Sequence, residues 1–131
     1  MNMDMPEDRY DKGMAIRRQV LGDDYVDRSL AAVDDFTRDL QRMVTESAWG
    51  GVWSRDGLSL KQRSLNTVSM LAAINRPREL EIHLHGALRN GCSADEIRET
   101  LLQVAIYAGF PAALDAFRVA RRVLTEEGVL S

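Results

Sequence analysis

The chain has 131 residues, of which 45% are hydrophobic and 28% are charged, so it has the size and balance of one domain with an apolar core. This composition excludes a predominantly disordered chain. The formal net charge of -3 argues against a nucleic-acid-binding protein. The single cysteine, Cys92, cannot form an intrachain disulfide, and no apolar run is long enough to span a membrane. We therefore expect a cytoplasmic protein with neither a membrane nor a nucleic-acid partner.

The first half of the chain predicts two helices and an irregular segment. A polar amphipathic helix is expected over Pro6–Leu21. A second helix, capped by Asp27 or Ser29, is expected to end near Gly50-Gly51, because apolar residues recur every three or four positions along it. The segment Trp49–Gly57, which contains both tryptophans, is expected to be irregular. The apolar positions of the second helix are Leu30, Val33, Phe36, Leu40 and Val44.

The second half of the chain predicts four further helices. Ser59 is placed to cap a third helix, which ends before Pro77 because the residue preceding a proline disfavours helical geometry. A fourth helix is expected over Pro77–Gly91. Ser93 has the capping-box spacing that opens a fifth helix, and Pro111 begins a last helix that ends near Glu127. No strand-like alternation is present, so the sequence predicts a single all-α domain.

Candidate acid–base residues are concentrated in the fourth predicted helix, which contains both histidines. Glu79 lies four residues before His83, the spacing at which a carboxylate can orient an imidazole; Glu81 and His85 have the same spacing. At 100° per residue the two histidines point about 200° apart, so they are not expected to bind one metal ion together. Exposed ion pairs are the more common interpretation of this spacing.

The fifth predicted helix is apolar almost all round, which indicates burial within the domain or at a subunit contact. Thr100, Gln103 and Tyr107 form a polar line along it. Buried polar groups need partners, and the spacing alone leaves open whether that partner is a ligand or another side chain. Arg118 in the last helix either binds an anionic group or is solvated.

A family resemblance becomes visible from Asn75 onward. It is carried by the string NRPRELEIHLHGALRNGCSADEIRETLLQVAIYAGFPAALDAF, which closely resembles the carboxymuconolactone decarboxylase family. The resemblance continues upstream through RYDKGMAIRRQVLGDDYVDRS and DFTRDLQRMVTESAWGGVWSRDGLSLKQRSLNTVSML, and so covers nearly the whole chain. The same superfamily includes alkylhydroperoxidase-like proteins with a redox CxxC. Here those positions are Arg76 and Glu79, which excludes thiol peroxidase chemistry.

The resemblance implies an alkylhydroperoxidase-like bundle of about six helices that assembles as a homo-oligomer, a trimer or hexamer, with the fourth and fifth helices as a central antiparallel pair. It also implies a carboxy-lyase that needs no cofactor and no metal. The expected reaction converts 4-carboxymuconolactone to 3-oxoadipate enol-lactone in protocatechuate catabolism, the beta-ketoadipate pathway. Such an enzyme needs cations for two carboxylates, a donor to the growing oxyanion, and an acid that protonates carbon.

Within the resemblance, His83 is the expected general acid and Glu79 the residue that orients it. Tyr107 or Gln103 is the expected oxyanion donor. His85 is expected in a pocket shared with a neighbouring subunit. The remaining expected substrate-binding residues are the cations Arg76 and Arg118.

Three positions depart from the family pattern, in which arginine often stands at the position of His85, cysteine at Ala108 and histidine at Arg118. The exchange of cationic types at positions 85 and 118 either preserves anion binding or indicates a different substrate. The alternatives are therefore a paralogue that decarboxylates another carboxylated lactone or a biosynthetic intermediate, and a non-catalytic ligand-binding protein of the same fold.

Overall fold

A computed structural model describes residues 6–131, and in this range it contains helices and no strand. The predicted all-α class is confirmed. No helix in the described range is both long and apolar enough to cross a membrane. The helices are α1 (Pro6–Leu21), α2 (Asp23–Ala31), α3 (Arg38–Met43), a π-helix (Val44–Trp53), α4 (Leu60–Ala73), α5 (Pro77–Arg89), α6 (Ala94–Ala108) and α7 (Phe110–Glu126).

The chain divides into two compact units: unit 1 extends to Leu58, and unit 2 spans Ser59–Ser131. Unit 1 contains α1 to α3 and the π-helix, and unit 2 contains α4 to α7. A single domain over residues 1–131 stays a prediction.

The helices of unit 2 begin where their capping signals predict. The Ser59 hydroxyl accepts a hydrogen bond from the Gln62 backbone N–H at 3.1 Å, and the Gln62 side chain accepts one from the Ser59 backbone at 3.2 Å. Ser93 and Glu96 form the same reciprocal pair at 3.0 and 2.9 Å. Both arrangements are capping boxes, which satisfy backbone donors that a helix start leaves unpaired.

Unit 2 buries an apolar cluster between its four helices. α4 packs against α5 and α6, and α7 packs against the same two helices. The predicted central pair is therefore corrected: α5 and α6 bury their apolar faces against α4 and α7 rather than chiefly against each other. The fully buried large side chains of this cluster are Val68, Leu80, Leu84, Ile97, Leu101 and Val123.

The predicted second helix of unit 1 is wrong, because the chain turns between α2 and α3. The Asp34 carboxylate accepts a hydrogen bond from the Thr37 backbone N–H at 3.0 Å, and the Thr37 hydroxyl accepts one from the Asp34 backbone at 3.1 Å. Such local side-chain bonds compete with helical bonds and end the helix. Phe36, on this turn, is 94% exposed. Asp27 and Ser29 lie inside α2 and do not cap it.

The π-helix packs against α1 through close contact between their backbones. A Cβ atom on Gly13 would overlap the carbonyl oxygen of Thr45, and one on Gly50 would overlap that of Arg9. Trp49 lies within this helix, so the segment predicted to be irregular becomes so only after the helix ends. Glycine at both positions is therefore what allows the two helices to approach so closely.

Candidate active site

His83 is partly buried on α5, one turn after the exposed Glu79. Burial of the imidazole lowers the pKa of His83 to about 4, and the nearby negative charge of Glu79 raises it by a smaller amount. The ring is therefore neutral at pH 7. Glu79 thus lies one helical turn from His83 and favours its protonated form, but burial outweighs this effect and the candidate acid carries no proton at pH 7.

His85 has a different set of neighbours from the other histidine. Its Nδ1 lies 2.7 Å from Oε1 of Glu127. Possible ligand atoms of Glu81, His85 and Glu126 lie within 4.8 Å of one another, close enough to ligate a cation. Arg122 already pairs with Glu81 at 3.2 Å and with Glu126 at 3.9 Å. This arginine compensates the carboxylate charges.

The predicted polar line of α6 borders a cavity of about 440 Å³ between α4 and α6. Thr100, Gln103 and Tyr107 line one side, and Asn66 and Ser69 of α4 line the other. The side chains lining this cavity include polar groups but none that is charged. The cavity therefore offers hydrogen-bond donors to an oxygen atom, and it offers no cation to a carboxylate.

Arg118 lines a second cavity, of about 430 Å³, between α6 and α7. Its walls are mainly apolar, and Arg98 and Arg121 also border it. Arg118 forms an ion pair with Asp115 at 2.6 Å, and Arg98 forms one with Asp95 at 3.0 Å. Two of the three arginines are thus partly neutralised by exposed carboxylates.

The structure brings together some of the predicted site residues and separates others. Gln103 and Tyr107 share one cavity, whereas Arg118 lines the other. His83 lines neither of these two cavities. Arg76 is exposed at the start of α5, where its Nη1 lies 3.5 Å from the carbonyl oxygens of the two preceding residues.

Arg17 in α1 is a candidate that the sequence analysis missed. It is only 5% exposed, and its guanidinium donates to the hydroxyl oxygens of Ser29 at 3.1 Å and Thr45 at 3.4 Å. Burial lowers its pKa from the ordinary value. The helical spacing of Gly13, Arg17 and Val20 places the arginine on the face that contacts the π-helix, and this spacing was the available signal.

The sequence of this chain is similar to those of known decarboxylases. Residues 38–122 match the carboxymuconolactone decarboxylase family. The chain is 42% identical over 123 residues to 4-carboxymuconolactone decarboxylase of Acinetobacter baylyi, covering 94% of this chain and 92% of that protein. It is 40% identical over 117 residues to nitrosuccinic acid decarboxylase of Metarhizium robertsii, covering 89% and 82%. A 4-carboxymuconolactone decarboxylase of Pseudomonas putida is 52% identical over 42 residues, which is 32% of this chain and 88% of that sequence.

The described residues are helical, and the chain is similar over most of its length to two decarboxylases. These matches place the protein in the class of carboxy-lyases. The chain belongs to the carboxymuconolactone decarboxylase family.

Proposed function

We propose that this protein is a cytoplasmic carboxy-lyase that converts 4-carboxymuconolactone to 3-oxoadipate enol-lactone in protocatechuate breakdown. The observation that carries the proposal is the 42% identity to the Acinetobacter baylyi enzyme over 94% of the chain. The family match over residues 38–122 includes His83 and Glu79.

The proposed reaction needs only charge placement and one proton. The bond between the ring carbon and its carboxylate breaks, and CO2 leaves. The bonding electrons pass through the adjacent C=C bond to the lactone carbonyl oxygen, which becomes an enolate. A proton then adds to the carbon next to that carbonyl. Hydrogen-bond donors aimed at the enolate oxygen stabilise the transition state more than the substrate, which is how they accelerate the reaction.

His83 is the proton donor in this proposal, with Glu79 as the residue that favours its protonated form. Because its pKa is about 4, the imidazole is neutral at pH 7 and has to take up a proton from solvent as the substrate binds. A bound dianion close to the ring raises the pKa of the imidazole, because opposite charges favour the charged form. The protonated ring then gives its proton to the enolate carbon and returns to the neutral form that burial favours.

The enolate oxygen is assigned to Gln103 or Tyr107, which offer donors in an uncharged cavity. Arg76, His85 and Arg118 are the proposed cations for the carboxylates. Since these cations lie at separate places in one chain, the proposal includes a homo-oligomer, a trimer or hexamer, in which a neighbouring subunit completes the site.

Exposed apolar side chains on α6 and α7 support the homo-oligomer. Ile106 is 72% exposed, and Phe110 and Leu114 are also exposed. Apolar side chains of this kind are commonly covered at subunit contacts. Light scattering coupled to size-exclusion chromatography measures the mass directly, and a monomer at micromolar concentration would contradict this part of the proposal.

Nitrosuccinic acid is the second candidate substrate, because the chain is 40% identical over 89% of its length to the Metarhizium robertsii decarboxylase. Nitrosuccinic acid is also a dicarboxylic acid with an electron acceptor next to the carbon that loses CO2. In that case the electrons move onto the nitro group. The same proton donor and carboxylate-binding groups serve either reaction.

The test is release of CO2 from each compound by substoichiometric protein, without added metal or nucleotide. A protein-free sample gives the spontaneous rate. We expect acceleration of 4-carboxymuconolactone decarboxylation far above that rate. Acceleration of nitrosuccinic acid alone would replace the first substrate by the second. A folded protein that accelerates neither reaction would contradict the proposal and favour a non-catalytic ligand-binding protein.

A further inference from the structure

Two neighbouring arginines of α1 have opposite environments. Arg18 has a side chain that is 31% exposed, and it pairs with Asp23 at 3.1 Å and Asp27 at 2.9 Å. Arg17 is 5% exposed, and within the part of the chain that the structure describes it pairs with no carboxylate. The two acidic partners therefore serve the arginine that needs them less, since an exposed charge is already stabilised by water.

The partners of Arg17 are neutral. Ser29 and Thr45 accept hydrogen bonds from its two terminal nitrogens, while its Nε is buried and bonds to no group in the described residues. The titratable groups that influence its pKa are Tyr25, Tyr10 and the neighbouring arginine, none of them a carboxylate. A guanidinium stays charged at neutral pH. A buried charge with no opposite charge beside it destabilises the folded protein, as it does when one partner of a buried ion pair is removed.

Three elements of unit 1 converge on this guanidinium. Arg17 comes from α1, Ser29 from α2 and Thr45 from the π-helix. The Thr45 hydroxyl donates to the Gln41 carbonyl at 2.9 Å, which fixes it as an acceptor toward the arginine. The side-chain oxygen of Gln41 is also buried and without a hydrogen bond in the described residues. π-helical turns occur frequently at functional sites, where they are retained despite their poorer backbone geometry.

We propose that Arg17 binds a carboxylate group of a small dicarboxylate ligand, with the hydroxyl groups of Ser29 and Thr45 beside it. The planar guanidinium matches a carboxylate with two parallel hydrogen bonds, and the Ser29 hydroxyl, which accepts from Arg17, can donate its own proton to the same anion. That this ligand is the substrate rests on the proposed decarboxylase function.

The test measures succinate binding by isothermal titration calorimetry, with sodium chloride at equal ionic strength as the reference. Tryptophan fluorescence reports the location, because both tryptophans of the protein lie on the π-helix of unit 1. Arg17→Gln should weaken succinate binding about 10- to 100-fold, the effect of losing hydrogen bonds to a charged group. Arg17→Lys should lose part of the affinity because it keeps the charge without the planar fork.

Arg18→Gln is the matched control, and it should change the affinity less than twofold. Succinate binding that is equal in wild type and Arg17→Gln, or absent from wild type, would overturn the inference. Far-UV circular dichroism shows whether each variant is folded. If Arg17→Gln does not fold, Arg17→Lys decides: an affinity equal to that of wild type overturns the inference.

The decarboxylation assay keeps this inference separate from the proposed function. Turnover of 4-carboxymuconolactone by the wild type, together with normal succinate binding by Arg17→Gln, would support the proposed function and contradict the carboxylate site. Succinate binding that depends on Arg17, without turnover of either substrate, would support the carboxylate site and contradict the proposed decarboxylase function.

Discussion

Unit 1 and unit 2 are both helical, yet different interactions hold them together. Unit 2 buries leucine, isoleucine and valine side chains between four helices, two of which begin with capping boxes. In unit 1, α1 meets the π-helix through backbone contact at Gly13 and Gly50, and a charged Arg17 lies among hydroxyl groups. An apolar cluster stabilises a unit in any ionic surroundings, whereas a buried unpaired cation gains most when an anion binds.

The largest expected effect comes from disrupting the backbone contact that distinguishes unit 1 from unit 2. Gly50→Ala places a Cβ on the carbonyl oxygen of Arg9, a backbone atom that cannot rotate away. We expect the free energy of unfolding to fall by about 3 kcal/mol or more. Urea unfolding followed by tryptophan fluorescence measures it in the unit that contains both tryptophans.

Gly51→Ala is the control in the same π-helix, because its Cβ would meet only the Glu46 carbonyl oxygen at an ordinary 3.5 Å. This variant should unfold like the wild type. Equal stability of the two alanine variants would show that backbone contact does not hold unit 1 together.

The next effect concerns unit 2 and depends on pH. The pKa of His83 is about 4 in the folded protein and 6.5 in the unfolded chain, so between these values the unfolded chain binds the proton more readily. The stability that depends on neutral His83 is complete above pH 6.5 and is lost as the pH falls toward 4. The expected loss is about 3 kcal/mol.

His83→Gln cannot take up this proton. The difference in free energy of unfolding between wild type and variant, measured by urea unfolding from pH 7 to pH 4, should therefore move by the same amount in favour of the variant. A difference that stays constant over this range would show that burial does not lower the pKa of His83.

The smallest effect tests the capping boxes of unit 2. Ser93→Ala removes the acceptor for the Glu96 backbone N–H, and we expect a loss of about 1 kcal/mol. Thermal unfolding compared with Ser131→Ala, at the exposed last residue, gives the difference. Equal melting temperatures would mean that the cap contributes nothing to unit 2.

The sequence predicts unit 2 better than unit 1 because its helix starts have chemical signals. Ser59 and Ser93 with their partners three residues later, together with Pro77, mark where helices begin. In unit 1, Gly50 suggested the end of a helix, but its missing side chain permits a close helix contact. The turn at Asp34 depends on local side-chain bonds that periodicity does not reveal.

Candidate site residues divide in the same way. Helical spacing placed Gln103 and Tyr107 on one line, and they line one cavity. Spacing does not give depth, so neither the burial that lowers the pKa of His83 nor the burial of Arg17 was predictable from charge patterns. The pairing of Arg118 with Asp115 follows from their three-residue spacing on the last helix, a signal that the sequence itself contains.

The most direct measurement is the turnover number for 4-carboxymuconolactone of wild type and His83→Ala, with each protein shown to be folded at the assay pH. If His83 supplies the proton, kcat should fall by about 10² to 10⁴, the usual contribution of a positioned acid. The imidazole is removed without altering the fully buried Leu80 and Leu84 on the same helix, so the variant should stay folded. Normal turnover by folded His83→Ala would contradict the assignment of the proton donor.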